Sequence, residues 1–135
     1  MSPRKSPESG VRKPHRHLWL VEPLEREATL IVKSMFGGKA IYLDGRFVLF
    51  LADREDPWRG VLVPMERENH AGLIKALPSL APHEGLPKWL YLPETTDSFE
   101  TDGQWLVARI RARDPLIGII PPAAKRKSLR RDSHP

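Results

Sequence analysis

Apolar and polar positions in this chain fall into short blocks, and their period changes from strand-like to helix-like and back. Thr29-Leu30-Ile31-Val32 is aliphatic and β-branched, which suits a pleated strand. After Gly37-Gly38, the runs Ala40-Ile41-Tyr42-Leu43 and Arg46-Phe47-Val48-Leu49-Phe50-Leu51-Ala52 flank Asp44-Gly45. An Asp-Gly pair between two apolar runs predicts a hairpin with a type I′ turn, because both central residues must take positive φ. The second run is apolar at almost every position, whereas a strand with one buried face alternates. It needs cover on both faces. Either helices lie on both sides, or one side meets a partner chain.

The remaining blocks are shorter. Gly60-Val61-Leu62-Val63 predicts a strand closed by Pro64. A helix is expected from Glu66 to about Leu77, with acids in its first turn to suit the helix dipole and Leu73, Ile74 and Leu77 on one face. Residues 78–87 read as a Pro/Gly loop, and Lys88-Trp89-Leu90-Tyr91-Leu92 as a strand stopped by Pro93. A last helix is expected over Ser98 to Arg113, with Asp97 and Glu100 as a capping box and Phe99, Leu106, Val107 and Ile110 as its buried stripe. Gly103 would weaken it by about 1 kcal/mol relative to Ala. Residues 17–27 suggest a short helix split or started by Pro23. This order predicts an α+β domain over residues 15–120: two layers, with a mostly antiparallel five-stranded sheet and helices packed on it.

Composition narrows the setting. With no cysteine among 135 residues, disulfides, thiol nucleophiles and cysteine metal sites are excluded. No apolar run approaches the roughly 18 residues of a membrane helix, so a cytoplasmic protein without membrane contact is the simplest reading. The formal charge of +5 is unevenly placed. Residues 1–14 and 121–135 read as disordered basic tails, while the stretch between them is mildly acidic. That argues against a general basic face for nucleic acid.

Candidate chemistry is sparse. Phe36-Gly37-Gly38 lacks the spacing of a phosphate loop, so Gly37 and Gly38 read as a bulge or tight bend. His15 and His17 could ligate a metal only with a third ligand. Asp53, Glu55 and Asp56 follow a strand and, with His70, make a candidate metal or acid–base cluster, though loop carboxylates also serve solubility. Of the four tryptophans, Trp89 and Trp105 suit a core, and Trp58, inside a polar loop, suits an exposed contact. No set of residues suggests catalysis, a metal or a cofactor, so a non-enzymatic protein is expected.

The block Met35-Phe36-Gly37-Gly38, followed by Tyr42-Leu43-Asp44-Gly45 and an apolar strand, resembles the signature of the TfoX N-terminal-domain family. Leu92-Pro93-Glu94 and the helix carrying Trp105 and Ile110 also resemble that family, so the similarity spans roughly residues 20–113. The resemblance implies an α+β fold like that of type III secretion chaperones. It also implies a regulatory role, since named members regulate natural competence together with a transcriptional activator. The expected function is a protein-interaction module, with a second copy of the chain among its candidate partners and Phe47, Leu49, Leu51 and Trp58 as its candidate surface. The alternative is weak binding of nucleic-acid phosphates through Lys125, Arg126, Lys127, Arg130 and Arg131.

Overall fold

The structure, a computed structural model, describes residues 15–121. The tail residues Lys125, Arg126, Lys127, Arg130 and Arg131, and the basic segment 1–14, lie outside that range.

The domain is α+β, an antiparallel sheet with its helices on one face. A 3-10 helix, Leu18–Leu24, comes first and contains Pro23. Strands β1 (Ile31–Met35), β2 (Gly38–Leu43), β3 (Arg46–Asp53) and β4 (Arg59–Val63) form a meander. A 3-10 turn leads into α1 (His70–Ala76), followed by β5 (Ala81–Pro82), β6 (Leu90–Pro93) and α2 (Phe99–Arg111). The sheet order is β1-β2-β3-β4-β6-β5. It has six strands where the sequence suggested five. The extra one lies in the expected 78–87 loop: the chain returns along β6, pairing Ala81 with Tyr91 and Pro82 with Leu90. A proline is tolerated there because β5 is an edge and its missing N–H interrupts no central ladder.

The first two hairpins of the meander use two-residue turns. Asp44 and Gly45 have φ of 55° and 78°, as a type I′ turn requires. The β1–β2 turn has the same signs, with Phe36 at 49° and Gly37 at 77°. Met35 pairs directly with Gly38, so these glycines form a tight turn and its exit, with no bulge. The bulge sits in β3 instead. Ile41 pairs with Leu49 and Tyr42 with Phe47, leaving Val48 as the extra residue. Val48 and Leu49 therefore both join the helix-side core, while Phe47 and Phe50 join the opposite face.

Burial of both faces of β3 accounts for the uninterrupted apolar run, and the cover for both comes from this chain. On one face, Ile41, Leu49, Leu51, Val61 and Leu92 pack under the 3-10 helix, α1 and α2. The other face has no helix. Phe47, Phe50, Leu62 and Tyr91 are shielded by Tyr42, Trp58, Leu86, Trp89 and Ile119. Tyr42 stacks on Phe47 at 5.1 Å, and Trp89 meets Phe47 edge-on at 5.2 Å. Large aromatic rings thus do what a second helix layer would do. Residues 117–119 complete this region, where Ile119 exchanges two backbone hydrogen bonds with Phe47 on the side that β4 does not reach.

α2 buries Phe99, Leu106, Val107 and Ile110 as the periodicity predicts. Its cap differs from expectation. The N-cap is Ser98, whose hydroxyl donates to Asp102 at 2.6 Å rather than capping the backbone, and Asp97 is exposed outside the helix. Gly103 has a packing reason, since a Cβ there would stand 2.9 Å from Leu20 of the 3-10 helix. Its cost in helix propensity is accepted for close approach of the two elements.

Candidate functional site

On the helix-free face, an open cleft of about 430 Å³ lies at the end of the sheet nearest the β1–β2 turn. Met35 and Phe36 form one wall, Phe50 of β3 its floor, and Trp58, Leu86 and Trp89 the opposite wall. The lining carries a single charged residue, Arg54. Each element places its residue for a local reason. The type I′ turn turns Phe36 outward, where it is 81% exposed, the most exposed of the large apolar side chains among the described residues. Trp58 is held by backbone bonds that close the loop after β3: Trp58 N–H donates to Glu55 O, and Arg54 N–H donates to Trp58 O, both at 2.7 Å. Behind it lies His83, 4.3 Å away between ring centres. His83 Nδ1 accepts from the N–H groups of Gly85 and Leu86, so its proton sits on Nε2 and is donated to Pro57 O at 2.8 Å. This buried imidazole ties the 57–58 loop to the 83–89 loop and so sets the width of the cleft.

Arg54 stands apart from its neighbours. Asp53 is engaged by Arg16, and Asp56 accepts from the Tyr91 hydroxyl. Among the described residues, Arg54 itself has no ion pair. Its side chain crosses Gly37 so closely that a Cβ there would lie 3.2 Å from Arg54 Nε. The missing side chain of Gly37 leaves the guanidinium its place beside the cleft.

A second polar cluster forms around Glu94. Arg59 donates to Glu94 at 2.6 Å, Arg16 lies 3.3 Å away, and His17 Nε2 approaches the other carboxylate oxygen at 2.9 Å. That last approach is off the donor axis, so His17 Nε2, Glu94 Oε1 and the neighbouring His15 Nε2 lack aligned hydrogen bonds. Among the described residues, no group of three or more His, Asp or Glu is arranged to hold a metal ion. Burial pushes the His17 imidazole below its ordinary value of 6.5, with Glu94 pulling the other way, and burial lowers His15 likewise. Glu94 is also desolvated, yet the Arg59 hydrogen bond and Arg16 hold it below the usual carboxylate range.

The sign of the pH effect follows. Protonation of His17 and His15 is less favourable in the fold than in the unfolded chain, so stability should be full above 6.5 and fall as pH drops below it. Glu94 adds a further loss only below its ordinary value of 4.5. Urea midpoints are expected to decrease between pH 7.5 and 5.5, and His17→Gln should flatten that slope. An unchanged slope would remove His17 as its source.

The structure redistributes the candidate residues. Phe47, Leu49 and Leu51 are buried by their own chain, so they are not an open contact surface. Trp58 is half-buried and lines the cleft. Trp89 packs on the same face, and Trp105 lies against the helix-side core. His70 donates to Lys88 O at 2.6 Å and forms no ion pair with Asp53, Glu55 or Asp56. Asp44 is a structural hub: it accepts from Thr29 and Arg113, and Arg113 also reaches Glu27 at 2.8 Å. Arg54 and Leu86 were not singled out by the sequence. The available signal was apolar residues inside Pro-rich polar loops, as in Pro57-Trp58 and Leu86-Pro87-Lys88-Trp89.

Comparison of the chain with protein-family models, curated proteins and solved structures finds no match in any of them. Among the described residues, no helix is long and apolar enough to cross a membrane.

Proposed function

We propose that this chain is a non-enzymatic protein-recognition module of the TfoX N-terminal-domain type, which receives an extended strand of a partner protein along β1. The observation that carries this reading is Phe36, an aromatic residue held at positive φ and almost fully exposed. A bulky residue with positive φ is uncommon and strained by about 1 kcal/mol or more, whereas Asn-Gly is the favoured type I′ pair. Folding alone would be better served by another residue. β1 leads directly into this turn and is a sheet edge, with Ile31 49% and Val32 41% exposed. An edge strand offers unpaired N–H and C=O groups to an incoming strand. A second copy paired antiparallel about the centre of β1 would set Lys33 against Lys33, which disfavours that self-pairing and points to a different chain. The lack of cysteine suits a reducing cytoplasm, where we place the module.

The test is site-specific photo-crosslinking in cells, with the reactive side chain introduced at Val32 and, as a control, at exposed Glu66. Discrete adducts from position 32 alone are expected. They should weaken with Phe36→Asn, which is also expected to stabilise the purified domain by about 0.5–1 kcal/mol, as relief of strain at the turn. Adducts equal at both positions, or undiminished by Phe36→Asn, would overturn the reading. An adduct the mass of two chains would make the partner a second copy.

A further inference from the structure

We infer that the aromatic cleft binds a small free carboxylic acid with an apolar, preferably aromatic, body. This goes beyond strand pairing at β1 and does not depend on it.

Volume, lining and charge point to this ligand. A space of about 430 Å³ lies within the range of small-molecule sites, which are mostly apolar with a few fixed polar groups. Trp58, Trp89, Phe36 and Phe50 offer ring faces and edges to a flat hydrocarbon body. Arg54 is the only charged residue of the lining, and among the described residues no carboxylate is paired with it. Its guanidinium is a planar fork that matches a carboxylate with two parallel N–H donors. A cationic ligand would meet Arg54 with no opposing acid in the lining. A polyphosphate would need several cations, and the lining supplies one. An amphipathic monoanion satisfies both halves of the site, its charge at Arg54 and its body over the rings.

The site is also supported from behind. His83 donates across to Pro57 O beside Trp58 while Gly85 and Leu86 of its own loop donate to its other ring nitrogen, so the far wall is largely set before a ligand arrives. Gly37 leaves room for Arg54 at the near wall. A site with walls fixed in advance loses less on binding to the ordering of its own side chains.

The experiment follows the tryptophan indole N–H resonances of the full chain during titration with 4-phenylbutyrate, 4-phenylbutanol and 4-phenylbutylamine. The acid is expected to shift the Trp58 and Trp89 signals, leave Trp19 and Trp105 in place, and bind at least tenfold tighter than the alcohol or the amine. Arg54→Gln should erase the preference for the acid while the rest of the spectrum stays folded, and Arg54→Lys should keep part of it. Equal affinities for acid and alcohol, or shifts spread over all four tryptophans, would overturn the proposal. So would a short peptide ending in phenylalanine that binds tenfold tighter than 4-phenylbutyrate, since the occupant would then be a chain terminus.

Discussion

Gly38→Ala is expected to cost about 4 kcal/mol or more, a large share of the roughly 5–15 kcal/mol that holds a domain of this size together. A Cβ at position 38 would stand 2.2 Å from the backbone carbonyl oxygen of Leu51 and 2.7 Å from the Phe50 ring. Neither neighbour can yield. Leu51 lies in β3, held between β2 and β4, and Phe50 is packed into the aromatic face. Relief would require β2 and β3 to separate at the end of their ladder. Gly45→Ala is the informative comparison, because Gly45 has φ of 78° but no atom within 4 Å of the added Cβ. Its cost is conformational only, about 1 kcal/mol. Urea melts of both variants should therefore differ several-fold in the stability lost, with Gly38→Ala soluble only in part. Similar losses would mean that the strands at Gly38 do not pack so closely.

Phe50→Ala should cost about as much as Leu49→Ala, roughly 3 kcal/mol each. The two residues are adjacent on β3 and point to opposite faces: Leu49 is wholly buried under the helices, and Phe50 is 4% exposed beneath the aromatic side chains. The comparison asks whether the helix-free face is a true core. If its burial depended on a partner chain, Phe50→Ala would cost the isolated protein under 1 kcal/mol while Leu49→Ala stayed expensive. Similar midpoints in denaturant melts of the two variants would establish that the domain has two cores on one sheet.

Much of this arrangement was legible in the residues. Asp44-Gly45 fixed a hairpin because few sequences suit two consecutive positive φ angles, and those are among them. The α2 stripe was legible because 3.6-residue periodicity survives the glycine at 103. The double-sided burial of β3 was legible too, but its cover was not. Period-based reading looks for helices, whereas here the rings of Trp58 and Trp89 in loops, with Tyr42 on β2, close the face. The β1–β2 turn was recognised only as a bend, because Phe-Gly is not a typical turn pair. For the same reason Phe36 read as part of a family signature and not as an exposed wall of a cleft. β5 escaped notice because two residues carry no period at all. Arg54 looked like one charge among Asp53, Glu55 and Asp56. Only the folded chain assigns those acids to other partners or leaves them in solvent, and sets the guanidinium beside an apolar space.

The short backbone exchange between Ile119 and Phe47 bears on how the chain acquires its structure. β3 is made well before residues 117–119, yet one side of its first half stays open until they arrive, about seventy positions later. Arg46 waits equally long for the carbonyls of Ile117 and Gly118. Contacts this distant along the chain slow folding, because the connecting loop must close before they form. A growing chain thus holds this part of the sheet incomplete until residues 117–119 are made. A chain cut before residue 117 would lack the partners of Phe47 and Arg46 that close this side of β3.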